Sequence, residues 1–194
     1  MRAIVQRVAS ASVTVDNVVV SQISKGLMVL VGVGTDDNVS DIETLTKKIV
    51  SLRVFNDDSS GAMWKKSVKD IDGEILCVSQ FTLLANTTKG NKPDFHRAMS
   101  TEPSRQMYAT FLERISQIYK PEKIKDGKFG AMMNVSLTNE GPVTFTLDSR
   151  KFEYVDQPAT GGGGATSSKN RTSTETAQNG PPHPLMSGAP PQSK

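Results

Sequence analysis

The stretch that decides the fold reads Arg2-Ala3-Ile4-Val5-Gln6-Arg7-Val8-Ala9-Ser10-Ala11-Ser12-Val13-Thr14-Val15, then Asp16-Asn17, then Val18-Val19-Val20-Ser21-Gln22-Ile23. Apolar and polar side chains alternate at its start, the period-two signature of a strand with two unlike faces. Ile4, Gln6, Val8 and Ser10 are expected on one face, with Val5 and Arg7 on the other. Asp16 and Asn17 both tolerate the positive φ that a two-residue hairpin turn demands, so residues 12–15 and Val18–Ile23 read as its two arms. Lys25-Gly26 turns the chain into residues 27–33, a continuous apolar run that suits a strand buried on both faces, ended by Gly32 and Gly34. The chain therefore opens with three strands, largely antiparallel.

Outward from this core the periodicity changes. Ser40-Asp41-Ile42-Glu43 matches a capping box with Ser40 at the N-cap, and Ile42, Leu45, Ile49 and Leu52 follow at helical spacing. Residues 74–80 return to a strand that runs on into residues 81–84. A second helix is expected over residues 104–119, with Met107, Tyr108, Phe111, Leu112, Ile115 and Ile118 as its apolar stripe and Pro121 as its stop. Two last strands, residues 131–138 and 143–148, are joined through Asn139-Glu140-Gly141-Pro142. The order βββ-α-β-α-ββ predicts an α/β fold, a mixed and mostly antiparallel sheet partly covered by two helices.

Composition divides the 194 residues unevenly. Of 25 glycines and prolines, 12 fall in residues 156–194, a segment without valine, isoleucine or aromatic side chains. Such a segment buries too little apolar surface to offset the entropy of ordering its backbone. The expected organisation is a folded domain over residues 1–155 and a disordered Gly/Ser/Thr/Pro-rich tail over residues 156–194. No apolar run approaches the length of a membrane span, and the first residues pass straight into strand pattern without a signal-peptide core. A soluble, cytoplasmic protein is expected. The formal charge of +3 permits a polyanionic partner without demanding one.

Chemistry-bearing residues are scarce. The single cysteine, Cys77, lies in an apolar strand, and of two histidines His183 falls in the tail. That leaves no multi-cysteine or histidine-rich metal site and only His96 for any Ser-His-Asp arrangement. Nucleophile-elbow, zincin, P-loop and dinucleotide fingerprints are absent, and Val31-Gly32-Val33-Gly34 reads as a strand that ends in glycines. Two segments stand out. Ser79-Gln80-Phe81-Thr82-Leu83 sets hydroxyls and an amide at the end of an apolar strand, where a site edge often lies, although an ordinary strand end is the plainer reading. Gly141-Pro142 interrupts the last strand pair with a residue that cannot donate to a ladder, the mark of a turn or bulge.

With these segments in view the chain resembles the D-aminoacyl-tRNA deacylase family, the enzymes that clear D-amino acids esterified to tRNA. The resemblance runs from residue 1 to about residue 149. It is carried by Gln6-Arg7-Val8 and Ala11-Ser12-Val13, by Ser79-Gln80-Phe81-Thr82-Leu83, and by Lys89-Gly90-Asn91-Lys92-Pro93-Asp94-Phe95. Phe129-Gly130-Ala131 and Ser136-Leu137-Thr138-Asn139-Glu140-Gly141-Pro142-Val143-Thr144 complete it. Glu140 stands where the family often has aspartate, and Met132 where it often has a polar residue.

The resemblance implies a three-layer β/β/α fold and a homodimer that uses no metal or cofactor. It implies that Gly141-Pro142 is a cis dipeptide reaching into the partner's active site, where backbone carbonyls receive the substrate's α-ammonium and an L side chain collides. Glycine esters would pass. Arg7 would brace the dipeptide. Ser79, Gln80, Phe81 and Thr82 would form the catalytic segment, with the Phe81 and Thr82 N–H groups as an oxyanion hole and the tRNA's terminal 2′-hydroxyl assisting water. A nucleophilic Thr82 is the competing role. Lys89 and Lys92 would meet acceptor-stem phosphates. The alternative from another class is a non-catalytic nucleic-acid-binding protein that uses the tail as an arm, and a third is a bare dimeric scaffold.

Overall fold

A computed structural model describes residues 1–150. The tail expected over residues 156–194 lies outside the described residues. The elements run β1 (Arg2–Val15), β2 (Val18–Ile23), β3 (Gly26–Gly32), α1 (Val39–Ser51), β4 (Glu74–Ser79), α2 (Thr101–Ile118), β5 (Ile124–Asp126) and β6 (Asn134–Asp148). They build a mixed α/β fold around one six-stranded sheet in the order β2-β1-β3-β4-β5, with β6 on the other side of β1.

β1 organises the sheet. Its first half pairs antiparallel with β3, from Arg2 opposite Gly32 to Val8 opposite Gly26. Its second half pairs with β2, and the turn between them has φ of 49° at Asp16 and 64° at Asn17, as the hairpin requires. Along its opposite edge β1 pairs with β6 almost from end to end. β3, β4 and β5 are mutually parallel, which the α1 and α2 crossovers permit.

The long apolar run of β3 is buried on both faces because the sheet has two cores. Leu27, Val29 and Val31 face a cluster with Ile42, Leu45 and Ile49 of α1 and Phe111 and Ile115 of α2. Met28 faces the other way, with Val8, Val13, Leu76 and Val78, under the curled sheet and Val135 and Leu137 of β6. Val5 and Val8 are both fully buried, one in each cluster, so the expected two-faced alternation of β1 becomes burial on both sides.

Four local expectations are corrected. The α1 cap is Asn38 rather than Ser40. Asn38 Oδ1 accepts the Ser40 N–H at 2.8 Å, while Asp41 Oδ2 accepts the Asn38 N–H at 2.9 Å. α2 begins at Thr101 because Pro103, lacking an N–H, costs nothing in a first turn. Residues 81–84 are a 3₁₀ turn and do not extend β4. The two last strands are one strand, β6, and it is preceded by the short β5, too brief to show periodicity.

Candidate active site

The first candidate segment lies where β4 ends. The Gln80 N–H still bonds to the Val31 carbonyl at 2.7 Å, but Gln80 takes φ −144° and ψ 82° and the chain then coils into the 3₁₀ turn Phe81–Leu84. Leu84 is buried and anchors the turn. Arg2 braces it from β1, donating from Nη1 to the Leu83 carbonyl at 3.0 Å. The turn's internal bonds begin with the Leu83 N–H to the Gln80 carbonyl at 3.3 Å, which leaves the Phe81 and Thr82 N–H groups outside them. The Gln80 amide donates to the Thr82 hydroxyl. An amide is no base, so this contact orients the hydroxyl without activating it. The Phe81 ring is 56% exposed and meets the Phe95 ring edge-on at 5.0 Å.

The loop after the turn is closed by a reciprocal pair, the Asn86 N–H to the Asp94 carbonyl at 2.7 Å and the Asp94 N–H to the Asn86 carbonyl at 2.9 Å. Lys89 and Lys92 stand exposed on this loop. The His96 N–H donates to Asp94 Oδ1 at 2.9 Å and His96 Nδ1 is held on the same carboxylate; the backbone bond first, then the ring, keeps the Asp94 carboxyl below its ordinary range.

The second segment is an excursion of β6. Thr144 pairs with Gln6 and Asn139 with Val8, so Glu140, Gly141, Pro142 and Val143 stand where β1 has only Arg7. The Gly141–Pro142 peptide bond is cis, and Gly141 has φ 118°, a region that favours glycine. Four residues against one is a wide bulge, and proline fits because no ladder bond is asked of it. Arg7 faces the excursion. Its Nε donates to the Glu140 carbonyl at 3.1 Å and lies 3.4 Å from Glu140 Oε2, while Nη1 donates to the Val54 carbonyl at 2.5 Å. Behind the excursion, Asn139 Oδ1 accepts the Val143 N–H at 3.0 Å and Asn139 Nδ2 donates to Thr144 Oγ1 at 2.9 Å. Trp64 packs edge-on against Phe145 at 6.3 Å.

Among the described residues no hydrogen bond, ion pair or ring contact joins the two segments. Arg2 touches the 3₁₀ turn and Arg7 touches the bulge. These two anchors stand five strand steps apart on β1, roughly 17 Å at about 3.4 Å per residue. Ser79, Gln80, Phe81 and Thr82 share one locality with the Lys89 and Lys92 loop, and Arg7, Gly141 and Pro142 share the other. The sequence reading missed Arg2, the Val54 carbonyl and the Asn139–Thr144 pair. Asn139 passed as a turn former, and a carbonyl partner leaves no trace in a sequence.

Cys77 is fully buried, and burial pushes its thiol far above the ordinary range, which leaves it inert at neutral pH. Among the described residues no group of three or more His, Cys, Asp or Glu side chains is disposed to hold a metal ion. No helix of the described residues is long and apolar enough to cross a membrane.

Comparison with known proteins places this architecture among the deacylases, hydrolases of acyl esters. The profile of the family described as "D-Tyr-tRNA(Tyr) deacylase" matches residues 4–148. The D-aminoacyl-tRNA deacylase of Dictyostelium discoideum is 54% identical over 151 residues, covering 78% of this chain and 99% of that protein. Among solved structures, "c-Myc DNA Unwinding Element Binding Protein" is 53% identical with a TM-score of 0.74, over 76% of this chain and 98% of that one. A "probable eukaryotic D-amino acid tRNA deacylase" at 17% identity and a TM-score of 0.65 shares the fold over 75% of this chain and 97% of its own. The chain belongs to the D-Tyr-tRNA(Tyr) deacylase family and is a hydrolase.

Proposed function

We propose that the protein hydrolyses the ester bond of D-aminoacyl-tRNA, and of mischarged glycyl-tRNA, releasing free tRNA as chiral proofreading in the cytoplasm. The observation that carries the reading is the Gly141-Pro142 excursion, a backbone apex held by Arg7. No side chain of the described residues bonds to the Gly141 or Pro142 carbonyl, so both can accept hydrogen bonds from an ammonium group. Carbonyls accept in a fixed direction. With the ester end also held, a D side chain points outward and an L side chain meets backbone.

Two copies of the chain complete the site. The apex and the 3₁₀ turn are anchored on β1 about 17 Å apart, which supports a reading in which Gly141 and Pro142 of one protomer act on an ester held at the turn of its partner. There the Phe81 and Thr82 N–H groups stabilise the oxyanion, an effect worth about 3–4 kcal/mol in other hydrolases. The substrate's terminal 2′-hydroxyl helps to position water. This fits a turn without a basic side chain poised on the Thr82 hydroxyl. Lys89 and Lys92, on the loop that follows, meet acceptor-stem phosphates, and binding weakens with salt. Residues 1–155 form the deacylase domain, so deletion of residues 156–194 leaves the hydrolysis rate within about twofold. The family relative that lacks the tail supports this, since its full length is matched by 78% of the chain.

The deciding experiment incubates catalytic amounts of the protein with D-aminoacyl-tRNA and with its L-isomer. Release of the D-amino acid alone is expected. Failure to release it sinks the reading in favour of a non-catalytic nucleic-acid-binding protein. One observation favours that second reading, the DNA-element binding named for a relative 53% identical.

A further inference from the structure

Where β6 leaves the ladder, a single side chain joins both feet of the excursion. Asn139 stands at the first foot, and its carboxamide reaches Val143 and Thr144 at the second, at 3.0 and 2.9 Å. Val143 needs such a partner, because the register sets no residue of β1 opposite it and its N–H is otherwise without a ladder bond. Carboxamide chemistry suits the position. One atom accepts from the Val143 N–H while its neighbour donates to the Thr144 hydroxyl, whereas aspartate lacks the donor and leucine, of similar shape, lacks both groups.

The clamp sets the span of the excursion. Arg7 fixes the Glu140 flank through the carbonyl and carboxylate of that residue, but it makes no bond beyond Gly141. Without Asn139 the Val143 N–H loses its partner, the chain between Glu140 and the ladder at Thr144 loosens, and the Gly141 and Pro142 carbonyls could swing about the Arg7 anchor. A displacement of about 1 Å at a positioning group is enough to cost a large factor in an oriented reaction.

We propose that Asn139 is a positioning residue for chiral selection. It touches no substrate. It directs the Gly141 and Pro142 carbonyls, and through them it sets the ratio at which D and L esters are cleaved. The inference rests on the reading that those carbonyls receive the α-ammonium.

The test uses the full chain, three variants and two readouts. Thr144→Val breaks the amide-to-hydroxyl bond, Asn139→Leu breaks both bonds, and Asn139→Asp keeps an acceptor for the Val143 N–H and for the Thr144 hydroxyl, which then donates instead. The first readout is the rate of D-tyrosyl-tRNA against L-tyrosyl-tRNA hydrolysis, with thermal unfolding as a check on folding. Thr144→Val is expected to lower the D-to-L ratio about tenfold and Asn139→Leu about a hundredfold, while Asn139→Asp stays within about threefold of wild type. The second readout, hydrogen exchange at the Val143 amide, does not depend on activity. Exchange is expected to rise about a hundredfold in Asn139→Leu while the Val5 and Val29 amides stay protected. A D-to-L ratio unchanged in folded Thr144→Val overturns the proposal, including where Asn139→Leu fails to fold. Unchanged Val143 exchange in Asn139→Leu overturns it as well. Wild-type protein that cleaves neither ester fails the underlying reading instead, and the exchange measurement still judges the clamp.

Discussion

Gly141 has almost no room for a side chain. A Cβ there would lie 2.8 Å from Arg7 Nη2 and 2.9 Å from Val143 Cγ2, at a φ of 118° that L side chains rarely adopt. Gly141→Ala must therefore move either the guanidinium or the apex. Hydrolysis of D-aminoacyl-tRNA is expected to fall by about one to two orders of magnitude, while unfolding shifts by only about 1–2 kcal/mol, since of the excursion only Val143 packs against a core. Steady-state rates alongside a denaturant titration check this. At the other segment, backbone and side chain make opposite forecasts. Thr82→Ala removes a hydroxyl that meets only the Gln80 amide, and the rate constant should stay within about tenfold of wild type. Phe81→Pro removes one N–H from the turn at a φ that proline accepts, after a residue already outside the helical region, and should cost about two to three orders of magnitude. Near-complete loss in Thr82→Ala with tRNA binding intact would return the nucleophile role to that hydroxyl.

Among the elements, α1 is tied to the end of β6 through one carboxylate. Asp41, buried in the first turn of α1, accepts from the Asn38 N–H, the Ser149 hydroxyl at 2.6 Å and Arg150 Nη2 at 3.0 Å, and it lies 3.9 Å from the Met1 ammonium. Arg150 is the largest influence holding its carboxyl well below the ordinary carboxylate range, against the cost of burial. A depressed folded pKa means that its stabilisation is present above the unfolded value near 4 and is lost as pH falls below it. Asp41→Asn is expected to cost about 2 kcal/mol near neutral pH, and the gap from wild type should narrow steadily below about pH 4. Urea unfolding at several pH values reads this directly; a gap independent of pH would contradict it. The same helix shows why parts of the fold were legible and others were not. Ile42, Leu45 and Ile49 announced a helix because burial imposes a 3.6-residue period. Its cap slipped by two residues because Asn38 and Ser40 are both competent, and only the loop geometry chooses between them. The Asp16-Asn17 hairpin was legible because positive φ restricts which residues can stand there. β6 was not, since a bulge and a hairpin turn ask for the same glycine and proline, and what separates them is the register against β1. At the site, residue types pointed to both segments, but the partners of Arg7 are carbonyls, which no side-chain pattern encodes.

For the whole molecule, the separation of the two segments along β1 becomes a claim about assembly. If Gly141 and Pro142 serve the partner's turn, a lesion in either segment disables both sites of a homodimer. A mixed dimer behaves differently. Take one protomer carrying Gly141→Ala and the other carrying Phe81→Pro. The intact turn of the first then meets the intact apex of the second, and the remaining site combines both lesions. Denaturing and refolding an equal mixture gives mixed dimers as about half of all dimers, each with one good site of two, so activity should recover to about a quarter of wild type. Neither variant refolded alone should exceed about a tenth. A site contained in one protomer predicts no recovery, because every protomer in the mixture carries a lesion. Recovery that disappears on dilution below the dimer dissociation constant would tie the restored activity to the contact between copies.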